Sequence, residues 1–283
     1  MQRVRLVASD LDGTLLDDQG VVTERTARAW RALWDHGIET VLVTARPPRW
    51  VDHLAGITGA HGVVICANGA FVYDAANQRM RERTVLAPEL LRALIRDLRG
   101  IEGVALAVET ESGFLQEDGF WATLAGTPDI GRGRVVADLT AEELAGEGAS
   151  VGKLLARSDA LGQSEFLERV REIVGDRALL SSSGADGLAE IGPVGVTKAA
   201  ALARWCESLG ITREEVWAFG DMPNDIPMLT WAGTGWAVAG AHEDVLAIAD
   251  RTCPANTEDG VAQALEALLS GGQAAASPEP APS

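Results

Sequence analysis

Short apolar runs rich in β-branched residues alternate with amphipathic stretches at both ends of the chain, while in the middle successive apolar runs are separated by little more than turns. Residues 4–9 read as a buried strand. Thr23 is placed to cap a helix whose Ala27, Trp30, Leu33 and Trp34 fall on one stripe, and Gly37 ends it. Residues 38–44 follow as a strand, then a helix near 50–54, then a third strand over 62–67. Alternation at this rhythm implies right-handed crossovers and a parallel sheet.

From about residue 86 the pattern changes. A helix over 88–98 precedes close strands over 104–110, 113–116, 135–137 and 151–156, a helix over 165–174, and strands over 178–182 and 187–191. Consecutive strands with short turns predict an antiparallel sheet covered by helices. The first rhythm then resumes: Thr197 caps a helix over 199–209, strands follow over 216–220 and 236–239, and helices over 243–249 and 260–269. The expected organisation is one α/β domain, 1–84 and 191–270, interrupted by an inserted α+β domain, 85–190. The tail, 271–283, is poor in large apolar residues and is expected to be disordered.

Composition narrows the function. With 283 residues the chain has room for two domains, and its net charge of −17 disfavours nucleic acid and anionic membrane as partners. The apolar start is broken by Arg5 and Asp10, and no run reaches transmembrane length, so a cytoplasmic protein with no obligate protein partner is expected. Three scattered cysteines, Cys66, Cys206 and Cys253, suit packed thiols rather than a disulfide framework. An anionic substrate on such a chain needs a local cation. Only Lys153 and Lys198 are lysine; every other basic residue is arginine.

Four distinctive residues fall at strand carboxyl ends or at a helix start facing them: Asp10, Thr44, Lys198 and Asp221. Ligands of open parallel sheets bind at that edge. In "DLDGT" Asp10 and Asp12 point the same way from extended backbone, and Gly13 permits a sharp turn directly after them. A strand-ending Asx turn is the plain alternative, yet at about 5–7% per residue type D-x-D-G-T arises by chance in well under about one chain in a hundred. Repulsion between such carboxylates is relieved by a divalent cation, and an oxygen-only site without histidine or cysteine favours Mg²⁺. Asp221 in "GDMPNDIPML" supplies a third anionic ligand, with Asn224 and Asp225 further along the loop. Lys198 offers a compact ammonium for a phosphoryl oxygen, and Thr44 a hydroxyl. Taken together these groups suit phosphoryl transfer, with one carboxylate attacking phosphorus and another serving the leaving oxygen.

"DLDGTLL", the "VLVTAR" strand end, "GVTKAAAL" and "GDMPNDIPML" resemble the four ordered motifs of the haloacid dehalogenase-like hydrolase superfamily, and the insert position and the "ND" resemble its Cof-type subfamily with a type IIB cap. "ANGA" at 67–70 matches a segment of the family near the core–cap boundary. The resemblance implies a Rossmann-like parallel-sheet core with an inserted α+β cap, and an aspartyl-phosphate formed on Asp10. Asp12 would act as acid and then base. Mg²⁺ would be held by Asp10, the main-chain carbonyl of Asp12 and Asp221, with Asn224 close by. Thr44 and Lys198 would bind the phosphoryl group, Arg46 is a further candidate for it, and Asp225 would orient Lys198. Two departures stand out: Thr44-Ala45-Arg46 where relatives commonly read T-G-R, and Gly240-Ala241-His242 where an asparagine often precedes alanine.

The expected function is therefore a Mg²⁺-dependent phosphatase of small phosphorylated metabolites, sugar phosphates foremost. The alternatives are a phosphomutase and a non-catalytic phosphometabolite-binding protein, the second disfavoured by the presence of Asp12. Within the insert, Lys153 could reach a substrate anion but reads more simply as a surface lysine, and Trp121 is a comparable weak candidate.

Overall fold

The apolar runs at both ends of the chain assemble into a single sheet. In the computed structural model, which describes residues 3–111, 113–120, 133–146, 150–181 and 187–271, the order of elements is as follows. The first segment contains β1 (Leu6–Ser9), α1 (Glu24–Asp35), β2 (Glu39–Val43), β3 (Val63–Cys66), β4 (Phe71–Asp74) and β5 (Arg79–Arg83). The middle contains α2 (Pro88–Leu98), β6 (Val104–Thr110), β7 (Phe114–Glu117), β8 (Arg134–Val136), α3 (Ala141–Gly146), β9 (Val151–Ser158), α4 (Gln163–Val174), β10 (Leu179–Ser181) and β11 (Ala189–Gly192). The last segment contains α5 (Lys198–Ser208), β12 (Val216–Gly220), α6 (Ile226–Trp231), β13 (Thr234–Val238), α7 (Glu243–Ile248), β14 (Arg251–Cys253) and α8 (Gly260–Leu269). Trp121, Ser182 and 272–283 lie outside the described residues.

Among the described residues the first sheet has eight strands in the order β14-β13-β12-β1-β2-β3-β4-β5. Strands β14 to β3 are parallel; β13, β12, β1, β2 and β3 are buried on both faces, which is why they read as apolar runs, whereas β14, RTC, is an edge strand with Thr252 exposed. The chain leaves β1 toward β2 and returns on the other side at β12, so the strand order reverses beside β1. α1 begins at Thr23, whose hydroxyl accepts from the Thr26 N–H at 3.1 Å. Its buried stripe is Thr26, Ala29, Trp30 and Leu33, with Ala27 and Trp34 half-buried beside it.

Three expectations need correction. The helix near 50–54 is instead two short 3₁₀ turns, Pro48–Trp50 and Asp52–Ile57, because the Pro47-Pro48 pair supplies no N–H and the following bonds close at i→i−3. The parallel sheet carries an antiparallel hairpin, β4–β5, at one edge. The insert's sheet, β10-β11-β9-β6-β7-β8, is antiparallel except for β7–β8, which pair in parallel.

Helices α2 and α4 cover one face of that second sheet with Leu94, Leu98, Phe166 and Val170. The other face turns toward the first sheet. Gly152 on β9 lies so close to Phe71 on β4 that a Cβ there would fall 2.4 Å from the ring. β11 ends at Gly192, so the expected boundary at 190/191 falls within a strand of the insert's sheet.

Candidate active site

Asp10 follows β1, Thr44 follows β2 and Asp221 follows β12, so three adjacent strands deliver their polar residues to one edge at the reversal of strand order. Just after Asp10 the chain turns back through Gly13 at φ +77. A Cβ at Gly13 would fall 2.4 Å from Asp221 Oδ2, so the glycine admits Asp221 as well as the turn. Thr14 Oγ1 then donates to Asp221 Oδ1 at 2.7 Å.

Lys198 comes from the opposite direction, on the first turn of α5, where Thr197 caps the helix by accepting from the Ala200 N–H at 3.0 Å. Its ammonium is 1% exposed and donates to Asp10 Oδ1 at 2.6 Å and to Asp225 Oδ1 at 2.7 Å. Asp225 Oδ2 accepts from the main-chain N–H of Asp221 and of Met222, at 3.1 and 3.0 Å. Both oxygens of Asp225 are therefore engaged in holding Lys198 and the loop.

The charges are set by burial. Removal from water alone would depress the Lys198 ammonium, but Asp10 and Asp225 outweigh it and hold the group protonated well above its usual value. Burial pushes the Asp10 carboxyl up; Lys198 pulls it down, and Asp225 and Asp221 push it up again. Burial likewise raises Asp221 to about 6, against the hydrogen bond from Thr14 and with the help of Asp225.

Ligand oxygens of Asp10, Asp221 and Asp225 all lie within 4.8 Å of one another. Asp225 being spent on Lys198 and two N–H groups, Asp10 and Asp221 are the pair left to face a cation. Asn224, on the same loop, carries a buried Oδ1 with no hydrogen-bond partner. An oxygen-only donor set, crowded carboxylates and an orphaned acceptor beside them fit a hard divalent cation.

The remaining candidates are arranged differently. Asp12 is not part of the cluster of Asp10, Asp221 and Asp225; it is gripped by Arg46, which donates to both carboxylate oxygens at 2.8 and 2.5 Å. Thr44 is fully buried, and its hydroxyl accepts from the Arg46 N–H at 3.0 Å. Lys153 is not on the surface: it is 5% exposed, and donates to Glu190 Oε2 at 2.6 Å and to the Ala45 carbonyl at 3.0 Å, because β9 is packed against the site's rim. Sequence reading missed Thr14, Asn68 and Glu190. Thr14 was inside the quoted motif, and Asn68 inside "ANGA", but only tertiary structure brings Asn68 between Asn224 and Glu190. A groove of about 930 Å³ at the amino-terminal edge of the sheet, lined by Val4, Trp217 and Leu268 among others, contains none of these groups.

Comparison with known proteins identifies the family and the fold. The profile of the haloacid dehalogenase-like hydrolases matches residues 7–265. The 5-amino-6-(5-phospho-D-ribitylamino)uracil phosphatase YcsE of Bacillus subtilis is 30% identical over 262 residues, 93% of this chain and 94% of that one. The HMP-PP phosphatase of Klebsiella pneumoniae is 29% identical over 241 residues, 84% of this chain and 85% of its own. A solved haloacid dehalogenase-like hydrolase from B. subtilis superposes with a TM-score of 0.80 at 26% identity, covering 93% of this chain and 99% of the other. Among the described residues no helix is long and apolar enough to cross a membrane. The two-sheet architecture, the carboxylate edge of β1 and β12 and these likenesses together place the chain: it belongs to the haloacid dehalogenase-like hydrolases, as a phosphatase of the Cof type with a type IIB cap.

Proposed function

We propose that this protein is a Mg²⁺-dependent phosphatase of small phosphorylated metabolites, sugar phosphates included, and that it works through an aspartyl-phosphate on Asp10. The observation that carries the reading is the pairing of Asp10 with Lys198 at 2.6 Å beside Asp221, at the reversal of strand order. The relatives named above support small phosphorylated metabolites as the substrate class.

In the proposed reaction a carboxylate oxygen of Asp10 forms a bond to phosphorus while the bond from phosphorus to the leaving oxygen breaks. Asp12 gives its proton to that leaving oxygen, and afterwards takes one from the water that hydrolyses the acyl phosphate. Arg46 exchanges its grip on Asp12 for the arriving phosphoryl oxygens, which releases the Asp12 carboxyl for proton transfer. Lys198 and the Thr44 hydroxyl stabilise charge on the same oxygens, with Lys198 kept in place by Asp225. Asp10, Asp221 and the main-chain carbonyl of Asp12 would hold Mg²⁺, with Asn224 near. When bound, the ion supplies positive charge against the carboxylates' mutual repulsion and against the phosphoryl oxygens.

The test is phosphate release from a panel of phosphorylated metabolites, the ribitylaminouracil phosphate named for the B. subtilis relative and several sugar phosphates among them, with Mg²⁺ and with EDTA. Metal-dependent release without a bisphosphate primer is expected. Phosphate transfer between sugar hydroxyls that requires such a primer, with no free phosphate, would make the protein a mutase instead.

A further inference from the structure

Between the cap and the loop of Asp221 runs a chain of four polar side chains. Lys153 on β9 donates to Glu190 Oε2 on β11 at 2.6 Å. Asn68 Nδ2 donates to the same Oε2 at 2.9 Å and to Ser181 Oγ on β10 at 3.3 Å. Asn68 Oδ1 accepts from Asn224 Nδ2 at 3.2 Å, and Asn224 Oδ1 is left buried without a partner.

The direction of every link is dictated from the cap end. An ammonium can only donate, and the carboxylate paired with it accepts. Asn68 must therefore present its NH₂ to Glu190, and with Ser181 taking the other N–H, its oxygen can only face the core. Asn224 must in turn offer its own NH₂ to that oxygen, which aims the Asn224 carbonyl oxygen away from the chain. Were Glu190 withdrawn, both amides could rotate by half a turn at little cost.

The backbone at Asn68 is arranged for this bridging. Ala67 and Asn68 both have left-handed conformations, at φ 50 and 56, and their N–H groups donate to the carbonyls of Arg46 and Thr44 at 2.9 and 3.0 Å. A turn strained in this way persists because its surroundings hold it, and asparagine tolerates it better than other side chains.

We infer that Asn68 is a positioning residue through which Glu190 of the cap fixes the orientation of the Asn224 amide, so that the cation at Asp10 and Asp221 binds tightly only when the cap is seated. The inference rests on the reading that this pair takes Mg²⁺. Outer-shell partners of metal ligands commonly change metal affinity about 10–100-fold.

The test uses the full chain and Mg²⁺ alone, with affinity read by calorimetric titration and by the Mg²⁺-induced rise in the unfolding midpoint. Asn68→Gly deletes the bridge while keeping a residue at ease with φ 56, so the backbone turn is not strained by the substitution, and circular dichroism checks the fold. Glu190→Gln keeps the shape but lets either end of an amide face Asn68. Each is expected to weaken Mg²⁺ about tenfold, and in an Asn224→Ala background Glu190→Gln is expected to have no further effect. Affinities within about twofold of the parent in both single variants, or a Glu190→Gln loss that persists in the Asn224→Ala background, would overturn the inference. A parent that releases phosphate with Mg²⁺ while the variants bind the ion normally overturns the relay alone. A parent that neither binds Mg²⁺ nor releases phosphate overturns the underlying reading with it.

Discussion

A methyl group on Gly13 would meet Asp221 Oδ2 at 2.4 Å and sit on backbone at φ +77. Gly13→Ala is therefore expected to displace Asp221 and cost about 1–3 kcal/mol, seen as a lower unfolding midpoint together with weakened metal dependence. Asp10→Asn keeps the size and the bond from Lys198 but removes the nucleophile; phosphate release is expected to fall at least about a thousandfold with the circular dichroism unchanged. Retained activity would remove Asp10 from its assigned role. Asp221 gives a prediction with a sign. Its folded value, about 6, lies above the usual 3.8, so the favourable contribution is complete in acid and is lost as pH rises through 6. In EDTA at neutral pH the ionised carboxylate costs at most about 3 kcal/mol. Asp221→Asn should then be more stable than the parent at pH near 7.5 without metal, equal to it near pH 4, and indifferent to Mg²⁺, as denaturant titrations at each pH would read. A variant destabilised at every pH would show that Asp221 serves the fold rather than a cation.

Helix α5 exists at the element scale to bring one ammonium to β1. Thr197→Ala removes the bond to the Ala200 N–H and should cost about 1 kcal/mol, with a larger proportional loss in turnover than in stability because Lys198 is the next residue. Elements whose burial is uniform were legible in the sequence. β1, β2 and β12 are covered on both faces, and α1 carries a single apolar stripe, so each reads directly from its pattern. The hairpin β4–β5 was not legible. β5, RMRER, is an edge strand whose side chains are mostly exposed, and exposed positions need no apolar alternation. The parallel pairing of β7 with β8 was equally hidden, since Glu117 and Arg134 are far apart in sequence and no local signal states the direction in which a returning strand pairs. The same division holds within the site. Asp10, Thr44, Lys198 and Asp221 could be found because strand ends and a helix start are local features. Asn68 and Glu190, 122 residues apart, meet only through the packing of the cap on the core.

At the scale of the whole molecule the cap is held to the core by charge as well as by the chain. Arg83 of β5 pairs with Glu111 just past β6, Lys153 reaches the Ala45 carbonyl, and Arg49 grips both oxygens of Glu109 on β6. The Arg49–Glu109 pair is the most buried of the arginine clamps, with the guanidinium 4.9 Å from the centre of the Phe114 ring on β7. Burial pushes the Glu109 carboxyl up; Arg49 and, more weakly, Lys153 oppose this, and Glu190 adds to it. Removing Arg49 alone leaves a carboxylate in a site where water does not replace the lost partner. Arg49→Met should then cost about 3 kcal/mol at pH 8, because one partner of a buried pair is stranded. The sign with pH follows from the raised folded value: the ionised form is the unfavourable one, so the loss should shrink as the pH falls toward 5 and Glu109 takes up a proton. Arg49→Met with Glu109→Gln should recover to within about 1 kcal/mol of the parent at pH 8 and lose the added pH dependence, since no charge is stranded. Urea titrations of the parent, Arg49→Met, Glu109→Gln and the double variant at pH 5.5 and 8 read these differences, with KM and kcat measured alongside. If the pair acts as a clamp on the cap, the single variant should raise KM more than it lowers kcat. An Arg49→Met loss that is the same at both pH values and is not rescued by Glu109→Gln would mean that Arg49 stabilises the protein through its stacking on Phe114, and that the cap is held by Arg83 and Lys153 instead.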